Sequence, residues 1–349
     1  MHKIMISICL GFPVAVAAIR QPAPQQPSAV FAQVGLTPQQ IAAIDEGRPA
    51  AKVLSWGGPS EVYVFGAVYI DGSPAAYVKA ARNVKKLSGS EGYLGIGELS
   101  ATATAADLGA LALEPDDIKA LKSCREGECD VQLPTASIQA FHDAVKWSEP
   151  DAATQVNALA RRMVIDLVRE YRRGGNAALG VYRDKKNPAR VADQFEAMVG
   201  RSAALSDALP ELRRYLLHYP DAALPDADSF FYWEKVDFGM KPTIRVNHGV
   251  TYHTGEGAGA TSVVAIKQLY ASHYFHTALD VSVCARDSAK PDRRGFYLLT
   301  LKASEQDGLT GPKGSMLRKI VVDKTRSSLE SALASIKRTV EQSARGTGD

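Results

Sequence analysis

The sequence predicts an α+β protein in which an antiparallel β-sheet wraps on a long C-terminal helix, with a large helical insertion in mid-chain. Three observations carry that prediction. Strand-like runs crowd the last third of the chain, from Lys241 to Lys302. An amphipathic stretch beginning at Gly314 follows, with Val322, Thr325, Leu329, Leu333, Ile336 and Val340 at three- and four-residue steps along one face. A third sign stands near the start, where Glu61–Ile70 reads as a long strand with no close neighbour in sequence. A lone strand is not stable in water, so its partners must come from the C-terminal runs.

Taken in order, Thr37-Pro38 opens a short helix, with Thr37 as N-cap and Pro38 at the first helical position. In Glu61–Ile70, Val62, Val64, Gly66, Val68 and Ile70 alternate with Tyr63, Phe65, Ala67 and Tyr69. Both faces are apolar or aromatic, so the strand is covered on both sides or faces a cavity. Asp71-Gly-Ser-Pro74 ends it and launches a helix through Lys86. Tyr93–Leu99 is a weaker strand whose glycines suggest a bulge or a close approach.

From Thr104 to His218 the pattern is helical, most clearly over Asp151–Arg173, where Val156, Leu159, Met163, Leu167 and Val168 mark one face and Gly174-Gly175 stops the helix. Tyr219-Pro220 and Leu224-Pro225-Asp226 break into an aromatic run, Phe230–Phe238, at the start of the sheet. The runs Lys241–His253, Val263–His276, Thr277–Cys284 and Gly295–Lys302 then read as strands. The organisation expected is a grip domain split into 37–103 and 230–343, a helical insertion at 104–229, and a short disordered tail at 344–349.

Composition excludes some functions. The chain of 349 residues is 46% hydrophobic and 23% charged, with a formal charge of +3, which leaves no basic footprint for nucleic acid. The N-terminus points to export. Lys3 precedes a short apolar core, Ile4–Val14, and Ala15-Val-Ala-Ala18 offers small residues for cleavage near Ala17 or Ala18. Residues 1–18 therefore read as a signal peptide, and the Pro/Gln-rich 19–36 as a disordered leader, in a periplasmic or secreted protein. No other segment is long and apolar enough for a membrane helix. Cys124-Arg-Glu-Gly-Glu-Cys129 suits a disulfide in an oxidising compartment. A zinc half-site would need a second Cys/His pair at ligand spacing, which is missing; two free thiols are the remaining alternative. Cys284 lies in an apolar strand and reads as an inert buried thiol.

The order of a long strand (Glu61–Ile70), a helix directly after it, further antiparallel strands and a closing helix resembles the START-like, Bet v 1-like helix-grip superfamily. The resemblance covers about residues 55–100 and 230–343 and rests on element order. It implies a cavity that binds lipids, sterols or other apolar molecules, while some relatives in that superfamily are enzymes. The helical stretch between the two halves departs from the pattern. The chain also resembles exported bacterial proteins of unassigned function that carry a segment like Tyr270–Phe275.

For a ligand site the sequence offers Tyr270, Tyr274 and His276, with His248, Tyr232 and Trp233. Read as one strand, Tyr270–His276 places Tyr270, Ser272, Tyr274 and His276 on one face, with His273 and Phe275 on the other. The histidines then point apart, so no metal site is assigned; His248 and His253 likewise face opposite sides. No nucleophile elbow, Walker motif or dinucleotide fingerprint occurs, and no catalytic residue or cofactor is assigned. Gly255–Gly259 reads as a hairpin loop or an entrance flap. The function expected is non-catalytic binding of an apolar or amphipathic, lipid-like molecule. Two alternatives stand beside it: a His-dependent acid/base enzyme acting on a hydrophobic substrate, and an envelope structural or interaction protein without a cavity.

Overall fold

The computed structural model describes residues 26–88, 92–202, 207–254 and 261–345. Residues 1–18, read as a signal peptide, and the glycine-rich Gly255–Gly259, read as a hairpin loop or flap, lie outside them. Elements run in the order α1 (Pro27–Gln33), α2 (Pro38–Asp45), β1 (Ala50–Leu54), β2 (Glu61–Ile70), α3 (Pro74–Arg82) and β3 (Tyr93–Leu99). The insertion holds α4 (Pro115–Ser123), α5 (Thr135–Ala144), α6 (Ala152–Gly174), the short pair β4 (Val181–Tyr182) and β5 (Ala189–Arg190), α7 (Val191–Arg201) and α8 (Pro210–His218). Strands β6 (Asp228–Val236), β7 (Thr243–Thr254), β8 (Thr261–Ala271), β9 (Phe275–Ala285) and β10 (Phe296–Gln306) follow, and α9 (Gly311–Arg345) closes the chain.

Eight strands form one antiparallel sheet in the order β1-β2-β10-β9-β8-β7-β6-β3. The meander β6 to β10 returns to β2, which finds the partner it required: Phe296 to Glu305 pair in register with Ile70 to Glu61. Because β3 and β6 are themselves neighbours, the helical insertion hangs between two paired strands. Gly97 explains how β3 packs there, since a Cβ at this position would stand 2.5 Å from Trp233 Nε1. The bulge suggested by the glycines falls between Tyr93 and Gly95.

Each face of the sheet is covered by different elements. Helix α9 lies along β2, where Leu329 and Leu333 reach the bare Cα of Gly66, Val340 reaches Gly72, and Arg318 donates to the Glu61 carbonyl at 2.6 Å. This is a helix-grip-like outline, a sheet closed on a C-terminal helix. The insertion covers the opposite face: Phe195, Met198, Leu212 and Leu216 pack on Phe65, Ala265 and Leu299, while α4–α6 pack on Trp233, Val246 and Leu269. That is why β2 is apolar on both sides. Helix α6 ends at Gly174. Gly175 follows at φ 57, and a Cβ there would overlap the Tyr219 carbonyl at 1.6 Å. Among the described residues, no helix is long and apolar enough to cross a membrane.

Three readings are corrected. The leader was expected to be disordered to residue 36, but residues 27–33 form α1, because Phe31, Val34 and Leu36 find apolar partners and the Phe31 ring packs edge-on against Tyr297 at 6.0 Å. The run Val263–His276 is not one strand. It breaks after Ala271, and Tyr274 adopts φ 64 inside a turn closed by Phe275 N–H donating to the His273 carbonyl at 2.7 Å. The face alternation drawn through Tyr270–His276 therefore fails at Ser272. The tail 344–349 was also expected to be disordered, yet α9 continues to Arg345; the remaining four residues lie outside the described set.

Candidate functional site

The grip face is covered unevenly. One row across it runs Val64, Lys302, Asp280, Ile266, Gly249 and Phe230, each paired with the next across adjacent strands. Val64 is sealed under α9, and the Phe230 ring fills the space above Gly249. Between these ends lie an ion pair, Asp280–Lys302, and a half-buried isoleucine. The Asp280 and Lys302 side chains keep 27% and 32% of their exposure, so solvent reaches the middle of this face. Cover is therefore incomplete between the sheet and the first half of α9. Half-buried apolar groups on this side include Ile266, Val78 and Ala81 of α3, and Leu317, Val321 and Val322 of α9. Gly239, in the β6–β7 turn, comes up against Lys324 of α9, so the sheet curls until its hairpin tip meets the helix.

Beside this pair lies a second polar group, more deeply buried. Arg245 pairs with Glu234 at 3.2 Å and donates to Gln268 Oε1 at 3.1 Å, and Asn247 Nδ2 donates to Glu234 at 3.1 Å. Burial disfavours the Arg245 charge, but Glu234 and Asp280 outweigh it and hold the guanidinium above its usual value. Burial, reinforced by Glu234, pushes the Tyr232 phenol well above its usual value. The Asn247 Oδ1 acceptor has no partner among the described residues. Charges thus alternate across this face, with apolar walls on either side, an arrangement suited to a ligand with one polar end.

The opposite face holds polar groups that are sealed. His248 is fully buried, stacked on Phe231 at 4.5 Å, with Ser229 Oγ at 2.8 Å from Nε2 and Tyr171 Oη at 3.2 Å from Nδ1. Burial drives its basicity well below the usual value. A neutral ring needs one donor and one acceptor, and two hydroxyls can supply both. Its cross-strand neighbour Lys267 is also fully buried and pushed well below its usual value by desolvation. The amine bonds to Asn176 Oδ1 and approaches the Leu216 carbonyl at 3.3 Å, between the rings of Phe195 and Tyr171. Asn176 also donates to the Leu216 and Leu217 carbonyls, so the cluster caps the end of α8.

The structure does not gather the residues that the sequence offered. Tyr232 alone lies on the grip face, beside Phe230 at 6.1 Å. Trp233 faces the insertion and donates to the Asp107 carbonyl at 3.0 Å. Tyr270 and His276 meet Tyr182 of the insertion at 6.1 and 6.3 Å. Burial lowers His276, whose Nδ1 has no partner among the described residues. Nearby Asp184 is raised by burial to about 6. Tyr274 sits in the turn and accepts from the Lys241 backbone at 3.0 Å. His273 is held between Asp117 (3.1 Å) and the Asp130 carbonyl (3.0 Å), behind a shallow depression of about 240 Å³ lined by Glu114, Asp116, Asp117, Lys241 and two prolines. His253 faces the grip side, with Ser262 Oγ at 3.0 Å. Cys124 and Cys129 stand at disulfide geometry, Cα atoms 4.6 Å apart, and Cys284 is a buried free thiol. Among the described residues no three His, Cys, Asp or Glu side chains converge as metal ligands would.

No ligand-binding role was read in the sequence for Glu234, Arg245, Asp280, Lys302 or Lys267. A signal was available: each is a charge set inside an otherwise apolar strand, as in Thr277-Ala-Leu-Asp280-Val-Ser-Val. No protein-family model, curated protein or solved structure matches the chain, so geometry carries the functional reading.

Proposed function

We propose that this chain is an exported, non-catalytic binding protein that holds an apolar or amphipathic small molecule between the sheet and the first half of α9. The observation that carries this reading is the solvent-reached Asp280–Lys302 pair near the middle of the face under α9, flanked by half-buried apolar groups of α3 and α9. A ligand would lay its apolar part along Ile266, Val321 and Val322 and direct its polar end to the pair. The helix-grip-like outline and the START-like resemblance support the same reading. Export rests on Lys3, the apolar run Ile4–Val14 and Ala15–Ala18, and the Cys124–Cys129 pair fits an oxidising compartment. Acid/base catalysis by His276 or His273 draws less support, since the His276 ring is buried against Tyr182 and both His273 nitrogens are engaged by Asp117 and the Asp130 carbonyl.

The test is binding of a fluorescent fatty-acid analogue to the purified protein. Binding is expected for the parent chain, to weaken by about tenfold in Lys302→Met for an anionic head, and to vanish in Ile266→Trp, which fills the proposed cleft. Absence of binding in the parent, or full binding in Ile266→Trp, would sink the reading.

A further inference from the structure

Large apolar side chains exposed at the surface are few, and they are not scattered. Among the described residues they are Leu94, Met240, Met316 and Ile320, exposed by 56, 43, 73 and 46%. Met316 and Ile320 lie one turn apart on the outward side of α9. One turn further, Lys324 touches Gly239, next to Met240 in the β6–β7 turn. Asp237, at the start of that turn, donates its backbone N–H to the Gly92 carbonyl at 2.8 Å, which brings in Leu94 two residues away. Three elements thus present their uncovered apolar groups around one end of the molecule. Single exposed apolar residues need no explanation, but a group of this kind does.

Charge marks the same end. Residues 311–326 contain Lys313, Arg318, Lys319, Lys324 and Arg326 against one carboxylate, Asp323. Arg318 is occupied by backbone carbonyls and Arg326 by Glu330, while Lys313, Lys319 and Lys324 form no ion pair among the described residues. The second half of α9 is different: Lys337 pairs with Glu341, and exposed large apolar groups are missing from it. The positive end of the helix dipole adds to the basic half. An apolar centre flanked by unpaired lysines is complementary to an anionic lipid surface, where methionine and isoleucine enter the acyl boundary and lysines stay among the headgroups. Nucleic acid would match the lysines but leave the apolar centre in water.

We propose that the outward face of the first half of α9 and the β6–β7 turn form a docking surface for a bilayer containing anionic phospholipid. The proposal stands apart from occupancy of the cleft, although it would set the cleft opening near the membrane. It is tested by flotation of the full chain with vesicles of phosphatidylcholine alone and of phosphatidylcholine mixed with phosphatidylglycerol. Partitioning is expected onto the mixed vesicles only, and to fall with salt. Met316→Glu with Ile320→Glu should cost roughly tenfold or more. Lys319→Glu should cost about fivefold or more, whereas Arg338→Glu, on the balanced half of the helix, should change nothing. Ile320→Trp supplies a local readout: its emission should shift to the blue and be quenched by brominated lipid. No partitioning, equal partitioning onto neutral vesicles, equal losses in Lys319→Glu and Arg338→Glu, or an unquenched Ile320→Trp would each overturn the proposal. Ile266→Trp separates the two readings, because it should abolish probe binding in the cleft and leave flotation intact.

Discussion

One sheet here has two faces with opposite treatment. The face under the insertion carries His248 and Lys267, both sealed, both disfavoured as ions, and both given partners from helices. The face under α9 also seals a polar group, Arg245 with Glu234, but its Asp280 and Lys302 are paired and open to water. Burial alone does not mark a site. A sealed polar cluster ties elements together, whereas an accessible one in an apolar cleft can meet a ligand. The comparison teaches that the insertion acts as a second core, while the face under α9 keeps a charged pair within reach of water.

Substitutions on the two faces should separate stability from binding. The largest expected effect is Trp233→Ala, which removes a fully buried ring and its bond to Asp107. It should cost about 3–5 kcal/mol in chemical denaturation. A cost below about 1 kcal/mol would break the view of the insertion as a core. Next, replacing Cys124 and Cys129 together by serine should cost about 2 kcal/mol, the value for closing so short a loop, with probe binding in the cleft unchanged.

Lys267→Met should stay within about 1 kcal/mol of the parent or exceed it, since it keeps the packing and removes a desolvated amine. The sign of its pH dependence follows from linkage. The folded state declines a proton that the unfolded lysine takes up below its usual value of 10.5. The parent should therefore lose stability relative to Lys267→Met as pH falls from about 10 toward neutrality. A flat difference over that range would mean that the amine stays charged in its cage of rings and carbonyls. The smallest stability effect is expected for Asp280→Asn and Lys302→Met, below about 1 kcal/mol, because the pair is partly solvated. If either variant instead lowered stability like Trp233→Ala, the two faces would be equivalent and the contrast would fail.

Much of the fold was legible because it follows from local pattern. The two apolar faces of Glu61–Ile70 required cover on both sides and a distant partner; β10 and α9 supply one, the insertion the other. The closing helix buries Leu329, Leu333 and Val340 from the face read in the sequence, while Val322 and Ile336 stay half-buried at the margin of the same cluster. The site was less legible. Tyr270, Tyr274 and His276 seemed to share a face only while the strand was taken to continue past Ala271. A single backbone angle at Tyr274 undid the parity. The charges on the grip face were given no binding role because alternation predicts which residues share a side, while their accessibility depends on what packs above.

The amino-acid sequence by itself determined most of the long strands, the closing helix, the cap at Thr37, the stop at Gly174 and a cysteine pair spaced for a disulfide. These depend on side-chain periodicity and backbone preference over a few residues, so local chemistry suffices. Only the tertiary structure decided which charged groups were sealed and which stayed within reach of water. That outcome depends on helices distant in the chain, which seal Lys267 in a low dielectric and leave Lys302, in the same sheet, within reach of water.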